Sequence, residues 1–292
     1  MLLSDLIPTF QRFALYEKAM QPKSIKEIIR IVLDLDVFTG QTVKSITTQE
    51  IRAFLYQRKQ QRIWSNKTFR NARQYLKTFF DFCIIYEYRT NNPVEKIEKP
   101  RLSKQLPRCL TKAQVQTLLL HVDTVEWYNA LSMKRNQAII RTFLFTGIRL
   151  SELLYLRTEA VNLEERAITI IQGKGRKDRL VPIHPMLFPY LKNYLNEKGK
   201  RKNKYFFSSV RSDNKLTEKN LYAVFQKLQK VCSFKVTPHM LRHTFGKLSI
   251  EANLNPFKLK AIMGHADIST TQIYVYASQE NIRSSFDKIT LI

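Results

Sequence analysis

The chain has 292 residues, 44% apolar and 25% charged, which fits a globular protein of about two domains and excludes a disordered one. Its 49 Lys and Arg against 24 Asp and Glu leave a net charge of +25, so a polyanion is the expected partner. Nucleic acid stands ahead of an anionic membrane surface, because no basic amphipathic anchor, lipidation motif or apolar run of spanning length is evident.

The first ninety residues read as four short helices forming a small bundle. Leu2, Leu3, Leu6, Ile7, Phe10 and Phe13 recur at helical spacing, and a second series from Ser24 carries Ile28, Ile29, Val32, Leu33 and Leu35. Thr48 is the expected N-cap of a third helix with Ile51, Phe54 and Leu55. A fourth begins near Asn66 and carries Phe69, Tyr75, Leu76, Phe79, Phe80 and Phe82, aromatics expected in the core rather than against bases. The stretch NNPVEKIEKPRLSKQLPRCLT, with Pro93, Pro100 and Pro107, predicts a basic linker at about 91–107. The expected domains are 1–102 and 103–292, both basic, at net +7 for the first hundred residues and +18 for the rest.

Beyond the linker the pattern is mixed. Helices are expected from Thr111 and over 131–145, and RAITIIQ and LVPIH predict a β-hairpin around a glycine-containing basic loop. Helix resumes from Thr217. Thr237-Pro238 is an N-cap and N1 pair, Pro256 opens a further helix that Gly264 can close, and Ser269 can cap a last one. Cys83, Cys109 and Cys232 lack zinc-ligand spacing and read as reduced thiols, which with no signal peptide predicts a cytoplasmic protein, nucleoid-associated if bacterial.

Four segments carry the functional signal. They are TGIRLSELLYL around Arg149, QGKGRKDRLVPI around Lys174, TPHMLRHTFG around His239 and Arg242, and MGHADISTTQIY from His265 to Tyr274. In this order and at these separations, the chain resembles the tyrosine recombinases of the phage-integrase family, nearest the Xer branch. The resemblance covers nearly the whole chain. It implies a mainly α protein with a SAM-like four-helix core-binding domain, followed by an α+β catalytic domain with a small antiparallel sheet. Two positions depart from the pattern: Met263 stands where leucine is usual, and Val275-Tyr276-Ala277-Ser278 replaces the Thr-His that commonly follows the tyrosine in Xer proteins.

The implied chemistry is cleavage and rejoining of double-stranded DNA through a 3′-phosphotyrosine, with strand exchange by way of a Holliday junction and without metal or ATP. Arg149 and Arg242 are implied to clamp the scissile phosphate, since a guanidinium stays charged and matches two oxygens at once. His239 and His265 add hydrogen bonds, Tyr274 is the nucleophile and Lys174 the general acid. His239 and Arg242, three residues apart, share a helical face, whereas His243 is expected to point away and serve structure. Glu152 is expected to orient an active-site cation, and Arg176, Lys177 and Arg179 to form a basic strip on backbone phosphates. Tyr276, two residues from Tyr274, is the rival tyrosine and reads as packing.

Ile282, Phe286, Ile289 and Ile292 recur at helical spacing. By the resemblance, the tail 279–292 docks into a neighbouring protomer of a tetramer on two DNA sites. The alternatives are a type IB topoisomerase with the same chemistry, and a DNA-binding protein without catalysis, which should lack one of these residues. A metal-dependent nuclease is disfavoured by the lack of an acidic cluster around the histidines.

Overall fold

The computed structural model describes residues 1–102, 107–171, 178–199, 204–212, 214–265 and 267–277, with the side chains of 275–277 excepted. The chain divides into two compact units, Met1–Lys104 and Gln105–Ile292.

The first unit is the four-helix bundle. A 3-10 turn at Ser4–Leu6 leads into α1 (Ile7–Arg12), which continues as a π-helical turn at Phe13–Glu17. Then come α2 (Pro22–Thr39), α3 (Thr48–Gln61) and α4 (Asn66–Ile85). Pro22 starts α2, and Gly40, at φ +59°, ends it by donating to Asp36 O. The cap of α3 is Thr47, not Thr48, because only Thr47 has Glu50 at the third helical position to return the hydrogen bond to its backbone N–H. The aromatics fill the core: Phe10, Phe54, Phe79, Phe80 and Phe82 are fully buried.

The expected linker starts later than its prolines suggest. Val94 and Ile97 are buried in the bundle core, and Arg73, itself buried in α4, donates to the carbonyls of Val94, Glu95 and Ile97. Asn92 ties the same segment to Lys77 O and Asp81. A short segment thus satisfies its backbone with a side-chain guanidinium in place of a helix or sheet.

The second unit opens with α5 (Lys112–Thr124), capped by Thr111, and α6 (Ala130–Thr146), capped by Asn129. After α7 (Leu150–Tyr155) come β1 (Val161–Asn162), β2 (Ala167–Ile170) and β3 (Arg179–Pro182). These form an antiparallel sheet in the order β1-β2-β3, with Ile168 opposite Val181 and Ile170 opposite Arg179. Ile168, Ile170 and Val181 point into the core while Leu180 faces out, the alternation of a half-buried sheet. The two-residue β1 is too short to register as a strand in the sequence.

The remaining helices are α8 (Phe188–Lys198), α9 (Glu218–Cys232), α10 (Pro238–Glu251), α11 (Pro256–Met263) and α12 (Ser269–Ala277). Thr237 caps α10 with Pro238 at its first position, Pro256 opens α11, and Gly264 at φ +65° closes it. Ser269 is the first residue of α12 rather than its capping acceptor: its N–H donates to Asp267 Oδ1. One large core joins α5 to α10, and a separate small cluster holds Ile250, Leu259, Met263 and Tyr274. No helix among the described residues is long and apolar enough to cross a membrane.

Candidate active site

Three helix ends build the site. Gly147, at φ +59°, ends α6 and turns the chain so that Arg149 sits at the N-cap of α7. Pro238 starts α10, which carries His239, Arg242 and His243, and Gly264 ends α11 just before His265.

The two arginines converge on one corner. Arg242 is buried and donates to Gly147 O and, at 2.9 Å, to Met263 O. Arg149 donates to the adjoining Gly264 O at 2.5 Å and to Glu152 Oε1 at 2.8 Å. Each guanidinium has five N–H groups, so these bonds fix its direction and leave donors for a ligand. Burial, then the nearby Arg149, push the Arg242 pKa down to about 10, still cationic at neutral pH.

Glu152 is the hub of this corner. It accepts from the Arg149 backbone N–H and side chain, and both oxygens take a bidentate pair from Arg179 at 2.9 and 2.7 Å. Burial alone would raise its pKa, but the bonds from Arg179 and Arg149 outweigh it and hold the carboxyl at about 2. Glu152 thus bonds both Arg149 and Arg179. Arg179 departs from the expectation of a phosphate-facing strip. Its side chain is 8% exposed, and Nε donates to Ile262 O while both terminal nitrogens hold Glu152. Strand alternation turns it inward, opposite Ile170. Lys174, Arg176 and Lys177 lie outside the described residues, as do the tail 279–292 and the side chain of Tyr276.

On the far side, the His265 ring lies roughly parallel to that of Tyr274, with centroids 6.3 Å apart, and its Nδ1 is 2.9 Å from Thr271 Oγ1. Burial first, and then Arg242 and Arg149, lower the His265 pKa to about 4, which keeps it neutral. Tyr274 is 1% exposed, and burial pushes its phenol up to about 12 against the opposing pull of Arg242. The ring fits because residue 246 is glycine: a Cβ there would lie 2.6 Å from its Cε2 and Cζ.

His243 corrects the sequence reading. It does not point away; its Nδ1 is 2.8 Å from Tyr274 Oη and its Nε2 is 2.9 Å from His239 Nε2. The signal was available, since His239 and His243 are four residues apart and so share a helical face. Among the described residues, no group of three or more His, Cys, Asp or Glu could hold a metal ion.

This arrangement of two carbonyl-anchored arginines, histidines and a tyrosine is a site for an anionic oxygen cluster beside a potential nucleophile. The family model described as the phage integrase family matches residues 108–281. The tyrosine recombinase XerA of Pyrococcus furiosus is 31% identical over 222 residues, covering 75% of this chain and 73% of that protein. XerD of Listeria monocytogenes is 28% identical, covering 97% and 98%. Among solved structures, a post-cleavage complex of the XerH site-specific recombinase on a palindromic difH substrate matches with a TM-score of 0.76 at 24% identity, over 90% of this chain and 79% of that one. A lambda integrase dimer bound to a core site matches at 0.74 with 16% identity, over 94% and 95%, which speaks to fold. The chain belongs to the phage integrase family, the tyrosine-type site-specific recombinases, enzymes that transfer DNA strands.

Proposed function

We propose that this enzyme cleaves and rejoins double-stranded DNA with Tyr274 as nucleophile, using neither metal nor ATP. The observation that carries the reading is the convergence of Arg149 and Arg242 on the Met263–Gly264 carbonyls, beside the His265 and Tyr274 rings. A phosphodiester held by both guanidiniums gains negative charge on its non-bridging oxygens as phosphorus is attacked, and fixed cations stabilise that charge without reorganising. His265, held by Thr271, and the exposed His239 supply further donors. Tyr274 Oη forms the bond to phosphorus, the 5′ oxygen leaves with a proton from Lys174, and the 3′-phosphotyrosine stores the bond for rejoining.

Strand exchange in pairs then passes through a Holliday junction, with a tetramer on two DNA sites held in part by the tail 279–292. The known complexes of XerH with difH and of lambda integrase as a dimer on a core site support DNA as the partner. So does the net charge of +25, and the cytoplasm, on the nucleoid if the source is bacterial, is the matching location.

The test is a suicide duplex carrying candidate sites from the native genetic neighbourhood, nicked so that the released fragment is lost. Wild type and Tyr276→Phe should give a denaturant-resistant protein–DNA adduct, and Tyr274→Phe none. A tightly bound site that yields no adduct, or an adduct that survives in Tyr274→Phe, refutes the reading.

A further inference from the structure

We infer that His243 takes the proton of the Tyr274 hydroxyl as the tyrosine attacks phosphorus, and relays a proton to His239. The inference rests on the reading of Tyr274 as nucleophile and adds the step that reading lacks, the fate of the phenolic proton.

The geometry is a continuous chain. Tyr274 Oη is 2.8 Å from His243 Nδ1, and across the same ring His243 Nε2 is 2.9 Å from His239 Nε2. Both lie within the reach of a general base. An imidazole is the one side chain that can accept at one nitrogen while donating from the other. Two neutral arrangements satisfy the chain, one with protons running from Tyr274 towards His239 and one with them running back. The same three groups therefore serve cleavage and its reversal.

The surroundings explain why a relay is needed. Tyr274 is 1% exposed, so bulk water does not reach its hydroxyl, whereas His239 at the other end of the chain is exposed. Charge on His243 is costly because the ring is partly buried and stands near His239 and Arg242, which together lower its pKa to about 4. At neutral pH the ring is therefore uncharged, with one nitrogen able to accept. Passing a proton to His239 moves the charge out of this cationic corner to the solvent-facing ring.

The step balances. The Oη–P bond forms as P–O5′ breaks; the Oη proton goes to His243 Nδ1, and the Nε2 proton of His243 goes to His239 Nε2. The leaving 5′ oxygen is protonated separately, by Lys174. His239, now an imidazolium, becomes a charged donor on the side of the site where the phosphate gathers negative charge.

The test follows single-turnover adduct formation on the suicide duplex at saturating DNA, with full-length wild type, His243→Ala, His243→Asn and Tyr274→Phe. The asparagine keeps a hydrogen bond to Tyr274 and guards against misfolding, but cannot take a proton. Both His243 variants should be slowed by about 10²–10⁴-fold, the usual range for a general base. Their rates should rise with hydroxide where the wild type levels off, and added imidazole should partly restore His243→Ala. Wild-type rates in both variants would overturn the proposal. So would slowed variants with an unchanged pH profile and no response to imidazole, which would assign His243 to packing. An adduct in Tyr274→Phe would instead strike the nucleophile reading, and this proposal with it.

Discussion

Removing Arg179 should unlock the arginine corner without touching any group proposed to meet DNA. Its two terminal nitrogens hold both oxygens of Glu152, and the two side chains are only 8% and 11% exposed. Deleting one member of a buried pair typically costs about 3–5 kcal/mol, because the other is left charged and poorly solvated. Arg149 still contributes two hydrogen bonds to Glu152, which places Arg179→Ala at the lower end, about 3 kcal/mol. For a unit of this size that corresponds to a Tm lower by about 6–12 °C. The fall can be isolated from the other unit: Trp127 packs in the second core and Trp64 in the first, so a Trp64→Phe background reports the catalytic unit alone. Urea titration by Trp127 fluorescence gives the magnitude, and adduct formation on the suicide duplex should fall with it as Arg149 loses its fixed partner. A loss below about 1 kcal/mol, the range of exposed pairs, would refute the claim that this ion pair braces the site.

Gly246→Ala should place a methyl group 2.6 Å from the Tyr274 ring, costing about 1–3 kcal/mol and slowing adduct formation; unchanged urea midpoint and rate would mean the ring does not rest there. The catalytic unit should lose stability as pH falls from 6.5 to 4, because burial depresses the His243 and His265 pKa values to about 4 in the folded state while the unfolded chain takes up protons near 6.5. The slope can reach about 2.7 kcal/mol per pH unit for two protons, and Glu152 adds a further loss between pH 4.5 and 2. Trp127-detected urea midpoints at pH 7, 5.5 and 4.5 check the sign, and a flat response would refute it. Arg73→Met should leave the carbonyls of Val94, Glu95 and Ile97 without their donor, destabilising the first unit by about 2 kcal/mol or more. Limited trypsin digestion should then cut faster at Lys96, and equal cleavage rates would count against the anchor.

Local rules carried much of this fold. Thr237-Pro238, Pro256 and Gly264 mark helix ends through backbone demands that are visible in the residues themselves, and the β-branched run Ile168–Ile170 marks its strand. Thr47 was equally legible, since Glu50 at the third helical position selects it over Thr48. Arg179 was not, because its burial depends on Glu152 and Ile262, distant in the chain and brought together by the fold. The folding of residues 92–97 onto the bundle likewise hinges on Arg73; its spacing from Phe69, Leu76 and Phe80 puts it on the buried face of α4, but its carbonyl partners at 94–97 could not be read from that spacing. For His243 the helical spacing to His239 was plain, but the approach of Tyr274 from another helix was not.

Among the described residues of α12, the buried side chains are Thr271 and Tyr274. The residue proposed to attack phosphorus is thus also the peg that fastens its helix to the small cluster of Ile250, Leu259 and Met263. On the reading of Tyr274 as nucleophile, its ring would be tied to DNA while its hydroxyl still faces His243, so any pull of the phosphate on the ring would strain that apolar contact and link bond formation to loosening of α12. The covalent intermediate should therefore carry a more labile α12 than the resting enzyme, with faster amide hydrogen exchange confined to that helix. Rejoining of the strand would relieve that strain, which would favour release of intact DNA.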